Sequence, residues 1–122
     1  NPPVNVMFGT SPVNQPTADN LIYQLSLVNG RKFISVEPQL EPIDLLMPLK
    51  NSNKRLIDSV DWVIQGGESG PKRRPFNTDW GRQIRDVCKN NNVPYFFKQI
   101  DKIKPIPQDL LVREFPSQNL FI

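Results

Sequence analysis

Three charged side chains stand where chemistry can be done: Glu37 in "KFISVEP", Glu68 in "DWVIQGGESGPKRRP" and Lys98 in "VPYFFKQI". Each lies at or just past the end of a short apolar run. The two carboxylates and the amine are the candidate catalytic groups. Around them the same stretches supply a candidate cofactor-binding set: Ser11, Glu37, Gly66, Gly67, Glu68, Ser69, Gly70 and Gln99. Gly66 and Gly67 lack a Cβ, so the backbone there can take positive φ and approach a ligand. Successive N–H groups in such a turn can hold an anion. Lys98 would add positive charge, and Gln99 a neutral donor and acceptor. The plainer reading is open at each position. A Gly-Gly pair is also a tight turn, and Glu37 and Glu68 are also capped or ion-paired carboxylates. Lys98 is also a lysine that lays its stem on the surface.

The elements that must position these residues are legible as four strands and the segments between them. "NVMFGTS" (5–11), "KFISVEP" (32–38), "DWVIQGG" (61–67) and "VPYFFKQI" (93–100) are short, β-branched or aromatic, and bounded by turn formers. Their adjacent apolar residues predict strands buried on both faces, as in a parallel sheet. In "PTADNLIYQLSLVNG", Leu21, Ile22, Leu25 and Val28 recur on one helical face, with Thr17 as the expected cap and Gly30 as the stop. In "NTDWGRQIRDVCKNNN", Asn77 or Thr78 caps, and Trp80, Ile84, Val87 and Cys88 form the inward stripe. The middle connection predicts a short helix over 44–49 and a second piece over 53–59. After Ile100 a Pro-rich tail is expected to dock through Leu110, Leu111, Val112 and Phe115. The order is β-α-β-α-β-α-β plus tail, which means right-handed crossovers and a parallel sheet. Ligands in such folds bind outside the carboxyl ends of the strands, where the polar residues above converge.

Composition narrows the chemistry. The 122 residues suit one α/β domain, 1–122, with its tail 101–122 docked; 38% are hydrophobic and 22% charged, enough for a packed core. No apolar run approaches the roughly 20 residues that span a bilayer. No signal peptide is visible in "NPPVNV", and the absence of a starting Met leads us to expect a preceding segment. The single cysteine, Cys88, excludes an intrachain disulfide and points to a reducing, cytoplasmic setting. There is no histidine, so no metal site of the Cys/His type is expected. The net charge of +3 is mild and argues against a dedicated nucleic-acid binder. The triplet Lys72, Arg73, Arg74 reads best as a solvated surface. Arg74 is the exception, close enough to Glu68 to fold back and pair with it.

The pieces "NVMFGTS", "VEPQLEPIDL", "WVIQGGESGPKRRP" and "DLLVREFP" occur in order over roughly 5–116. They closely resemble the C-terminal half of an uncharacterised phage and bacterial family with a radical S-adenosylmethionine-like barrel. The resemblance implies a half or partial (β/α)8 TIM-like barrel, of which this chain supplies the last four units. It implies S-adenosylmethionine and a [4Fe–4S] cluster for the full-length family, with the cluster outside this chain because its cysteine motif is missing here. At "GTSPVNQ" the chain departs from the pattern: Pro12 or Val13 stands where a carboxylate is expected.

Two functional readings follow. In the first, the chain is the cofactor- or substrate-facing part of a radical-SAM-like enzyme, inactive without a cluster-bearing N-terminal half. In the second, it is a non-catalytic module that binds an anionic small molecule or a protein partner, or dimerises through exposed sheet edges.

Overall fold

The computed structural model describes residues 6–116. Its elements are β1 (Met7–Thr10), α1 (Gln15–Ser26), β2 (Arg31–Val36), a 3-10 turn (Leu56–Ser59), β3 (Trp62–Gly66), α2 (Thr78–Asn90), β4 (Tyr95–Gln99) and a second 3-10 turn (Gln108–Leu110). Every strand falls on one of the four apolar runs. They form one sheet in the order β1-β2-β3-β4, and each neighbouring pair is parallel. The fold is mixed α/β, with a four-stranded parallel sheet and two helices.

Sequential order has a topological consequence. Right-handed crossovers that always step to the next strand place every connection on the same side of the sheet. Side chains alternate accordingly. Ile34, Val36, Val63, Gln65, Tyr95 and Phe97 point under the connections and are buried. The opposite face carries Phe33, Trp62, Ile64, Phe96 and Lys98, none of them fully buried. The expectation of burial on both faces is therefore met on one. Across the open face runs a chain of rings: Phe33 to Trp62 at 6.1 Å, Trp62 to Phe96 at 6.4 Å, and the tail's Phe115 against Trp62 and Phe96 at 5.7 and 5.4 Å. Gly9 makes room for this, since a Cβ there would sit 2.2 Å from the Phe33 ring.

The covered side holds the core. Ala18, Ile22 and Leu25 of α1 and Ile84 and Cys88 of α2 are buried in it, together with Leu45, Leu56, Ile57 and Leu110. Asn14, not Thr17, is the α1 cap; Thr17 is the reciprocal partner three residues on, its backbone N–H donating to Asn14 Oδ1 at 3.0 Å. Asn77 caps α2 as expected. Within α2, Gly81 was not singled out, yet it is buried where Leu110 and the Phe97 ring come within 3.0 and 3.3 Å of a built Cβ.

The middle connection departs from expectation. No helix forms over 44–49. The Asp44 side chain instead accepts the Leu46 N–H at 2.8 Å, and Pro48, which has no N–H to give a helix, bridges antiparallel to Arg55. Of the 53–59 piece only the 3-10 turn at 56–59 is helical. The tail also differs in detail. Leu110 is fully buried and Val112 half-buried, but Leu111 is exposed and Phe115 is 67% exposed while still meeting the Trp62 and Phe96 rings, one tilted and one edge-on. Among the described residues no helix is long and apolar enough to cross a membrane.

A buried amide network joins the layers. Gln65 and Gln39 are almost wholly buried. Gln65 Nε2 donates to Gln39 Oε1 and, at 3.0 Å, to the Trp80 carbonyl, while the Tyr95 hydroxyl donates to Gln65 Oε1 at 2.6 Å. Gln39 Nε2 donates to the Glu41 carbonyl at 3.0 Å. Among the described residues no buried side-chain polar atom lacks a partner. Gln65→Leu would keep the volume but orphan Gln39 Oε1, and a buried unsatisfied group costs about 1–3 kcal/mol. Urea denaturation of this variant is expected to show a loss of that size, with the slope unchanged.

Candidate functional site

The carboxyl ends of the four strands define a rim. Ser11 lies just past β1, Glu37 past β2, Gly67 and Glu68 past β3, and Gln99 at the end of β4. The parallel sheet thus brings the expected residues to one end of the molecule. What they do there differs from one to the next.

Glu37 and Lys98 meet. Lys98 Nζ lies 3.4 Å from Glu37 Oε2, with side-chain exposures of 49% and 22%. Ser35, one pleat below Glu37 on the same face, donates its hydroxyl to Glu37 Oε1. The pair spans a whole strand: β2 and β4 are separated by β3, so their backbones are roughly 10 Å apart. The intervening residue of β3 is Gly66. A Cβ there would lie 3.5 Å from Lys98 Cβ and 3.3 Å from the Gln99 carbonyl. Without a side chain at Gly66, a lysine stem reaches over β3 to a carboxylate on β2.

Gly67 has a packing role. Its N–H donates to the Gln99 carbonyl at 2.9 Å, and a Cβ on it would come within 2.0 Å of the Ile100 carbonyl oxygen. That N–H is therefore spent within the sheet rather than offered to an anion. Gln99 Nε2 donates to the Gly67 carbonyl at 3.3 Å, closing the same junction. The positive φ expected at Gly66 and Gly67 falls at Gly70 instead (122°), where the loop turns in open space. Ser69 and Gly70 are exposed at that turn, and Ser11 is exposed at the end of β1.

Glu68 is clipped as the sequence suggested. Arg74 donates Nε to Oε1 at 2.9 Å and Nη2 to Oε2 at 2.7 Å, and its backbone N–H also donates to Oε1 at 2.9 Å. Such a two-pronged guanidinium–carboxylate contact fixes geometry. Arg74 holds the Glu68 carboxyl down at about 2, first through its side-chain bonds and then through its backbone N–H. Arg73 makes a second clip, donating Nε to Asp101 Oδ2 at 2.9 Å and Nη1 to the Gly70 carbonyl at 3.1 Å. The N–H groups of Lys104 and Ile103 also bond Asp101, and the Lys104 bond contributes most to lowering its carboxyl. So Arg74 closes the 68–74 loop on itself, and Arg73 ties that loop to the segment after β4. Arg82 and Arg85 likewise bind Asp109 of the tail, at 2.7 and 3.0 Å.

Sequence reasoning missed Ser35, Gly66 as a gap that the pair crosses, and Asp101. Period-two alternation from Glu37 could have found Ser35. A groove of about 840 Å³ lies elsewhere, bordered by Arg85, Pro94, Asp109, Glu114 and Phe115 at the amino end of β4. Its polar groups include the partners of the Arg85–Asp109 ion pair, so the rim is the better site by the carboxyl-end rule.

An iron–sulfur cluster does not fit the donors of this chain. Such clusters are held by several thiolates. Cys88 is fully buried on α2, and burial, with a smaller push from Glu114, raises its thiol to about 12. Among the described residues no group of three or more His, Cys, Asp or Glu is arranged to hold a metal ion.

Two predictions follow from this geometry. Gly67→Ala forces β3 and β4 apart at their ends, and overpacking of this kind costs about 1–3 kcal/mol. Gly70→Ala meets no neighbour, so its smaller effect in thermal melts isolates backbone strain from contact. For the Glu68 clip, the folded carboxyl lies below its ordinary 4.5, so its contribution is whole above that value and fades as pH falls toward about 2. Protection of the 68–74 amides, relative to their intrinsic exchange rate at each pH, is expected to fall across that window in the wild type, and to be low already at neutral pH in Glu68→Gln.

No curated protein and no solved structure matches the chain. Residues 1–112, nearly its whole length, match the family described as a protein of unknown function, DUF5131, and the chain belongs to that family.

Proposed function

We propose that this chain forms one wall of a ligand-binding partial (β/α) barrel, and that its rim holds a small molecule bearing both a cationic and an anionic group. The observation that carries the reading is the Glu37–Lys98 pair at the carboxyl end of the open face. Each member can turn from its partner to the ligand, Glu37 accepting from an ammonium and Lys98 donating to a carboxylate. Ser35 steadies the carboxylate from below. The same-sided connections support the barrel, because a sheet covered on one face and lined with rings on the other resembles a segment of barrel wall.

S-adenosylmethionine belongs to this class of ligand, since its amino-acid head carries both charges. The resemblance to radical S-adenosylmethionine-like proteins gives the enzymatic form of the proposal. There the cluster and the radical chemistry come from a part of the protein other than this chain, and this chain's residues bind and orient. A second reading, a phosphate- or carboxylate-binding module, rests on Lys98 alone.

Thermal melts with saturating S-adenosylmethionine, methionine or inorganic phosphate separate these readings. A ligand at 100 times its Kd adds about 2.7 kcal/mol, on the order of 10 °C for a chain of this size. Both zwitterions are expected to raise the Tm of the wild type, and neither that of Glu37→Gln or Lys98→Met. Stabilisation by phosphate alone, lost in Lys98→Met and kept in Glu37→Gln, would favour the second reading. No shift with any of the three would refute both.

A further inference from the structure

The positive charge of the chain is mild as an average, but it is not evenly spread. Of its 15 cations and 12 carboxylates, five and two lie in two stretches: the loop between β3 and α2 (67–77) and the segment between β4 and the second 3-10 turn (100–107). The remaining ten of each sign cancel, so these two stretches carry the whole net charge of +3. Both begin at the carboxyl end of the sheet, beside the rim.

The two stretches are fastened to each other through Asp101. Arg73 Nε donates to its Oδ2 at 2.9 Å, and the N–H groups of Ile103 and Lys104 donate to its Oδ1 at 2.9 and 2.7 Å. Farther on, the chain is held by the tail, which covers the outer edge of β4. There the Phe97 N–H donates to the Val112 carbonyl at 2.8 Å and the Glu114 N–H to the Tyr95 carbonyl at 2.9 Å. Arg73 and Arg74 are spent on Asp101 and Glu68. The excess is Lys72, Lys102 and Lys104, all exposed and none ion-paired among the described residues.

The donors that remain select the ligand. A compact phosphate is cradled by backbone N–H groups and guanidinium forks. Here those donors are occupied: the Gly67 N–H by the Gln99 carbonyl, the Arg74 N–H and guanidinium by Glu68, and the Ile103 and Lys104 N–H groups by Asp101. Three lysines are left, which act as flexible point charges. They suit phosphates in a row, where charge density is read rather than shape. Base stacking is not on offer either. Phe76, the one ring in these stretches, is half-buried and meets Trp80 and Phe97. Contact by charge without stacking favours a duplex over a single strand, because a duplex carries one phosphate charge per about 1.7 Å of its axis.

We propose that Lys72, Lys102 and Lys104 form a backbone contact for double-stranded nucleic acid on the β3–β4 side of the rim. The contact is weak and independent of sequence. It does not rest on which small molecule the Glu37–Lys98 pair holds.

Fluorescence anisotropy of a labelled DNA duplex over a salt series, with no small molecule present, tests this. Three phosphate contacts predict a slope of log K against log salt of about −2.7. Lys72→Gln, Lys102→Gln and Lys104→Gln are each expected to lower its magnitude by about 0.9 with unchanged circular dichroism, and the triple variant to abolish binding. Lys54→Gln and Lys89→Gln remove the same charge from exposed lysines elsewhere and are expected to leave the slope as it is. Equal losses in these two would show that binding follows net charge alone, and would overturn the proposal. So would the absence of binding at low salt, or tighter binding of a single strand of the same length. Competition by inorganic triphosphate or polyglutamate as effective as that by unlabelled duplex, at equal charge, would assign the loops to a compact phosphate or an acidic protein instead. A failure of the zwitterion melts alters none of these outcomes.

Discussion

Everything in this molecule depends on the direction in which its sheet is wound. Each crossover steps to the next strand with the same hand, so all the covering material accumulates on one face. The core, the buried amides and the tail anchor lie on that side. The ring-lined face and the Glu37–Lys98 pair lie on the other. Had the order reversed within the sheet, helices would cover both faces and ligands would bind at the switch point. Here there is no switch point, and the rim faces the uncovered side.

That arrangement explains which polar residues the core tolerates. Gln65 sits on a central strand and points under α2, where an unpartnered amide would be costly. It is matched by Gln39, Tyr95 and the Trp80 carbonyl. The network fastens the stretch just after Glu37 to both β3 and α2. Neutral groups do this on the covered side, while ion pairs handle the exposed loops. Glu68–Arg74 and Asp101–Arg73 brace one rim loop from two directions. This leaves the Glu37–Lys98 contact, at 3.4 Å, as the loosest ion pair described at the rim.

Much of this was legible in the residues. The strands were marked by β-branched and aromatic runs, and their parallel pairing by the helical patterns between them. The Glu68–Arg74 clip was readable from local spacing. Other features depended on contacts between residues far apart in the chain. Gly67 looked like a ligand turn because its real constraint, the Ile100 carbonyl, lies on another strand. Thr17 looked like a cap because either end of a reciprocal capping pair can be read as its start. The helix expected at 44–49 lost to an Asp44 side chain and a proline. The tail read as apolar docking, but its alignment as a covering strand follows only once β4 is known to be the last in the sheet.

The cover over β4 also has a consequence for how the chain is made. β4 ends at Gln99 and its final sealing residue is Glu114, so the strand leaves the site of synthesis fifteen residues before its protection is complete. At ordinary elongation rates that interval lasts about one to three seconds. During it the nascent polypeptide presents an aromatic strand with unsatisfied amides to its surroundings. The stretch translated after β4 therefore serves as an intramolecular chaperone for that strand.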